Sequence, residues 1–193
     1  MRVAALTIAV AMFASAYPDA QSLPQRRTTL SIQEELSQLP NYGVFDFLSF
    51  GLDRGKVTIR GYSYNGGLKS RAANAVKRIS GVDEVANHIE NLPASSFDDG
   101  IRWATFRRIY GDDLLSRYAP GGPMAVYDAL DQARRFPGVQ PLGIYPIHII
   151  VKNGRTTLHG SVDSEMDKRI AGFRAREVSG VFDVDNQLVV DNE

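Results

Sequence analysis

Along this chain the spacing of apolar positions switches between strand-like and helix-like periods, and the switches fall in the same order twice. From Val44 the period is two: Val44, Leu48, Phe50 and Leu52 alternate with Phe45, Phe47, Ser49 and Gly51, which predicts a strand. Arg54-Gly55 turns the chain, and Val57–Tyr64 returns it as a second strand. In "LKSRAANAVKRI" the residues Leu68, Ala72, Ala75, Val76 and Ile79 share one face, which predicts a basic amphipathic helix. Gly81 can supply the left-handed stop, and "VDEVANHIENL" reads as a closing strand. Ahead of this unit, Ser31 and Glu34 stand at capping-box spacing. They predict a helix starting at Ser31, with Ile32, Leu36 and Leu39 inward and Pro40 ending it.

The order then repeats. Asp98 or Asp99 is expected to cap "IRWATFRRIY" as a helix, Ile147–Thr157 holds a hairpin, Glu165–Glu177 is helical, Gly180 stops it, and "VFDVDNQLVV" closes the unit. Gly55 and Gly154 lie 99 residues apart, and Gly61 with Gly160, Gly81 with Gly180, and Asn87 with Asn186 keep that offset. One register held through hairpin, helix and strand marks an internal repeat. A segment at about 119–145 has no counterpart in the first copy. Pro-Gly clusters bracket a short helix in it, Met124–Arg135.

A hairpin followed by a crossover helix gives a mixed three-stranded sheet. The predicted fold class is therefore α/β (α+β): two small repeats, each helix–strand–strand–helix–strand, at 31–93 and 98–191, with the helices on one face of each sheet. By the pleat count Gly61 and Gly160 face those helices, which predicts close helix–sheet packing there.

Composition narrows the context. The 193 residues are 44% hydrophobic and 23% charged, and Lys+Arg and Asp+Glu balance at 22 each, so nothing global argues for nucleic acid as a partner. Met1-Arg2, an apolar run Val3–Ala16 and the small-residue pattern Ala14-Ser15-Ala16 predict a signal peptide, 1–16, cleaved after Ala16. The run is short for a bilayer span, and no later stretch is long enough, so the mature chain is expected to carry no transmembrane segment. Residues 17–30 are polar, contain Pro18 and Pro24, and read as a flexible leader. There is no cysteine, which excludes disulfides and a lipid-modified cysteine alike.

The order helix, "HIIVKNGRTTLHGSV", helix, "GVFDVDNQLVV" resembles the BON domain, and "GVDEVANHIENL" fits the same ending in the first copy. Arg54-Gly55 stands where that pattern has Asn-Gly, and the 119–145 insertion departs from it. Two copies behind a signal peptide are similar to double-BON exported envelope proteins. The resemblance implies a non-enzymatic periplasmic module that binds phospholipid surfaces or partner proteins and supports envelope integrity under stress.

The residues themselves offer little for catalysis. No thiol exists, no glycine-rich loop opens a helix, and no cofactor or metal site is expected. Asp112 and Asp113 read as capping, solvated acids. Two features suit binding instead. Lys69, Arg71, Lys77 and Arg78 form a cationic helix face without an acid, a candidate contact for an anionic phospholipid surface worth about 1 kcal/mol per side chain. The corresponding helix of copy two mixes Lys168, Arg169, Arg174 and Arg176 with Glu165, Asp167 and Glu177. The hairpin register also sets Phe47 opposite Tyr62 and Phe45 opposite Tyr64 on the sheet face away from the helices. Four aromatics there need a cover: the other repeat, the inserted helix, a membrane or a partner protein. An assembly adaptor that binds an envelope protein through that face or the inserted helix is therefore the alternative function. Finally, the Asn153-Gly154 turn places His148 opposite His159 on the same non-helical face, where two solvated polar side chains are the simplest expectation.

Overall fold

The computed structural model describes residues 23–136 and 138–191. The expected signal peptide and residues 17–22 lie outside the described residues. The first repeat runs α1 (Leu23–Ser37), β1 (Phe47–Asp53), β2 (Lys56–Ser63), α2 (Gly67–Val76) and β3 (Glu84–Asn91). The second runs α3 (Ser96–Tyr110), a 3₁₀ turn at Ser116–Tyr118, α4 (Gly122–Arg135), β4 (Ile147–Lys152), β5 (Arg155–Val162), α5 (Glu165–Arg176) and β6 (Asp183–Val190).

Each repeat makes a three-stranded sheet, β1-β2-β3 and β4-β5-β6, with the hairpin antiparallel and the third strand parallel. Both turns use the same left-handed backbone. Arg54 and Gly55 have φ of 44° and 80°, and Asn153 and Gly154 have 53° and 75°. That is the geometry two-residue hairpins favour, so Arg54 adopts what Asn does in the other copy. The crossover helices are pinned identically. Asn87 donates to the Lys69 carbonyl at 2.8 Å and accepts from the Ile89 amide, and Asn186 donates to the Lys168 carbonyl at 2.6 Å and accepts from the Leu188 amide. The asparagines kept at the 99-residue offset thus satisfy backbone groups of helix and strand together.

The helices cover one face of each sheet, as predicted. Ile32 and Leu36 of α1 and Leu68 and Ala72 of α2 bury Val57, Ile59 and Ile89. Phe106 and Ile109 of α3 and Ala171 of α5 bury Ile147, Ile149 and Leu158.

Three expectations shift. Helix α1 is already helical at Leu23, so residues 23–30 are not a flexible leader; Thr28 donates to the Ser80 carbonyl beyond α2, and Pro24 stands in the first turn, where a missing amide costs nothing. Helix α3 is capped by Ser95, whose hydroxyl accepts from the Asp98 amide at 3.2 Å. Asp98 instead turns inward, fully buried, and accepts the Asn153 and Gly154 amides at 2.9 and 2.8 Å. Gly61 and Gly160 serve strand rather than helix packing. A Cβ on either would stand 1.9 Å from a carbonyl oxygen of the neighbouring strand segment, Phe47 or Pro146, and both have positive φ, 131° and 119°.

The chain ahead of β1 does not continue the first sheet. The Val44 carbonyl accepts the Ile149 amide at 2.8 Å, so this segment lines the free edge of β4. The insertion returns to the same place. The Val44 amide donates to the Pro141 carbonyl, the Gly143 amide donates to the Tyr42 carbonyl, and Gly43 bridges to Leu142. Its C-terminal half is a clasp between the repeats.

Candidate functional site

The cationic set divides on the structure. Lys69 and Arg71 lie half-buried on α2, whereas Lys77 caps the helix and Arg78 follows in the turn, both exposed. None of the four forms an ion pair among the described residues. Arg71 folds back over Gly67, where an added Cβ would sit 2.6 Å from its Nη1, and its buried Nε has no hydrogen-bond partner. Sequence reasoning missed two further cations. Arg26 and Arg27 of α1 are exposed, and Thr28 beside them reaches Ser80, so α1 brings them toward the Lys77–Arg78 end. A helix start at Ser31 had hidden them in a leader.

The four aromatics meet their cover inside the chain. Phe47 and Tyr62 pair in register, and Phe45 and Tyr64 contact edge-to-face at 5.6 Å although β1 begins after Phe45. Phe45 is fully buried in the second repeat's core against Trp103 and Phe106. Tyr64 packs under the buried guanidinium of Arg102, 5.2 Å from its ring centroid, and Arg102 also binds Asp99 and the Val151 carbonyl. Phe47, Ile150 and Leu92 form a small core at the seam. The second repeat is thus the cover, and an adaptor surface built on Phe45, Phe47, Tyr62 and Tyr64 is corrected. Those side chains are occupied by the protein's own fold.

His148 stands opposite His159, as the turn register predicted. The solvated setting does not hold. His159 stacks on Phe47 with ring centroids 4.1 Å apart and planes within 4°, and His148, 8% exposed, lies 3.4 Å from the Tyr42 hydroxyl. Burial, reinforced by the repulsion the opposite ring of His159 would exert if both were protonated, pushes His148 down to about 4. Burial pushes His159 to about 4 as well, against the opposing pull of Asp185. His148 Nδ1 and His159 Nε2 are buried without a hydrogen-bond partner, so both rings are held neutral in an apolar seam. No cluster of three or more His, Cys, Asp or Glu suited to a metal occurs among the described residues.

Above the histidines lies Asp46, fully buried. It accepts the Gly43 amide at 3.0 Å, the Tyr64 amide at 2.7 Å and Gln140 of the insertion at 2.5 Å. Burial pushes its carboxyl up to about 6 even though these donors pull the other way. Asp112 is not the solvated cap expected: with its side chain 6% exposed, it accepts the Leu114 and Leu115 amides of the turn after α3 and the Arg174 side chain.

The BON domain family model matches residues 52–93 and 125–192, most of both hairpin–helix–strand units and more than half the chain. The chain belongs to the BON domain family. BON domains are envelope-associated, non-catalytic binding or structural modules, and this chain carries two of them. The second matched segment begins inside α4, whereas the helix lying against the second BON sheet is α3, with α4 packed on α3 and the 3₁₀ turn. Comparison with curated proteins gives no match. Among solved structures the chain is similar to the C-terminal domain of CdsD, a structural protein of the type III secretion system of Chlamydia trachomatis. The identity is 14%, covering 84% of this chain and 96% of that one, with a TM-score of 0.26. A second CdsD structure gives 15% identity, 86% and 92% coverage, and a TM-score of 0.27. No helix among the described residues is long and apolar enough to cross a membrane.

Proposed function

We propose that this double-BON protein is exported by its N-terminal signal peptide to the periplasm. There it acts as a non-enzymatic module that contacts anionic phospholipid surfaces and supports envelope integrity under stress. The observation that carries the reading is the outer layer of the first repeat, where Lys69, Arg71, Lys77 and Arg78 have no ion pair among the described residues and Arg26 and Arg27 extend the same cationic end. Cations left unpaired beside an anionic bilayer each contribute about 1 kcal/mol, and salt screens them over about 8–10 Å. Co-sedimentation with anionic and neutral vesicles tests it. The protein should pellet with anionic vesicles alone, lose binding as salt rises, and bind at least tenfold more weakly when Lys69, Arg71, Lys77 and Arg78 are all changed to Glu. Wild-type protein that ignores anionic vesicles at low salt overturns the lipid reading.

The adaptor reading keeps one specific support. The insertion exposes Met124, Tyr127 and Phe136 at 70%, 66% and 61%, an apolar concentration that a partner protein could cover.

A further inference from the structure

We infer that the outward stripe of α5, made of Met166, Arg169, Phe173 and Arg176, is a second lipid-contacting surface that inserts into the interface of an anionic bilayer. The inference rests on the lipid reading above and assigns it a site that is not on α2.

The four residues recur at i, i+3, i+7 and i+10, which puts them on one face of the helix. The opposite face, with Ala171, Gly172 and Ala175, is buried on the second sheet. Met166 and Phe173 are 55% and 57% exposed among the described residues. Arg169 follows Met166 and Arg176 follows Phe173 along the stripe, both exposed and without an ion pair among the described residues. The sequence hides this because α5 mixes both signs of charge. Folding buries one nearby acid and pairs another. Asp167 is buried and bound by Arg117 at 2.6 Å, and Glu177, just past the helix, is bound by Arg174 at 3.1 Å. Glu165 in the first turn is exposed and forms no ion pair among the described residues.

Chemistry then separates the two crossover helices. The exposed positions of α2 are Gly67, Ser70 and Asn74, with the cation Lys77 at its C-cap, and no large apolar side chain of that helix is exposed. It can be attracted to head groups, but it has nothing to insert. The α5 stripe alternates cations with a thioether and a phenyl ring, so the guanidinium groups can meet phosphates while the apolar groups enter the acyl boundary. A bilayer interface offers both environments in one plane, which is why it is the occupant proposed. The seam takes the other face of each sheet, so α5 lies in the outer layer of its repeat, free to approach a flat surface.

The absence of cysteine allows a site-specific test on the whole protein. Phe173→Cys on α5 and Asn74→Cys on α2, both at exposed positions, are labelled separately with an environment-sensitive dye and mixed with vesicles. The vesicles are phosphatidylglycerol–phosphatidylcholine or phosphatidylcholine alone. The label at 173 should shift to the blue with the anionic vesicles only, and Arg169→Glu with Arg176→Glu should weaken unlabelled binding at least tenfold. A shift at 74 without one at 173 overturns the α5 site while leaving the lipid reading standing. No binding by the wild-type protein overturns both. An equal shift with neutral vesicles overturns the anionic requirement and with it the role given to the arginines.

Discussion

The two repeats hold the same hairpin by different means. In the first, the Arg54-Gly55 turn is a surface turn whose neighbour, Asp83, is exposed. In the second, Asn153-Gly154 is gripped from α3 by buried Asp98 and covered by Phe182, which occupies the position 99 residues after Asp83. The second repeat also takes in Phe45 from the first, while its own insertion reaches back to Asp46 through Gln140. The second repeat therefore acts as the anchor, and the first leans on it. Identical local sequence patterns specify identical turns, but what each turn contributes depends on the neighbour that satisfies its amides.

The sharpest way to break that contrast is at the turn. Asp98→Ala should lower unfolding stability by about 3 kcal/mol, because it strands two amides in a largely buried setting. Asp83→Ala at the matching exposed turn should cost no more than about 0.5 kcal/mol. Denaturant unfolding of both variants checks this, and equal losses would mean the turns are held alike.

Acid tests the seam that joins the repeats. The histidines have folded values near 4, below their ordinary 6.5, so between those limits the unfolded chain binds more protons and stability falls as pH drops. Asp46 works in the opposite direction. Its folded value near 6 exceeds its ordinary 3.8, so its protonation favours the folded state on acidification. With two histidines against one carboxyl, the net loss from pH 7 to pH 5 should be about 2 kcal/mol. A His148→Gln, His159→Phe double variant, which keeps the stack on Phe47, should flatten or reverse that dependence. An unchanged pH profile in the variant would remove the histidines as its cause.

The smallest effect should show where the repeats are alike. Asn87→Ala and Asn186→Ala each remove the same side-chain staple between crossover helix and last strand, at about 1 kcal/mol apiece. Losses that differ by more than about half of that, measured by the same unfolding curves, would show that one repeat depends on its staple more than the other.

By itself the sequence determined everything that depends on neighbours along the chain. Period, turn residues and the 99-residue offset carried both hairpins, the crossover helices, the sheet topology and the opposition of His148 to His159, because strand pairing across a two-residue turn leaves one register. It also set Phe47 opposite Tyr62, but the strand it began at Val44 starts only at Phe47, and Phe45 leaves the first sheet for the second repeat's core. It missed helical residues 23–30, whose polar side chains carry no apolar stripe of their own and which are fixed in part by Thr28 meeting the end of α2. Only the tertiary structure decided what covers the aromatics, that the histidines are buried rather than wet, and that the insertion clasps the repeats. The same holds for charge. Lys69, Arg71, Lys77 and Arg78 stand out in the sequence because no acid is near, whereas the α5 stripe emerges only once Arg117 has drawn Asp167 into the fold. Pairing of charges across 50 residues of chain is set by packing, and no local pattern records it.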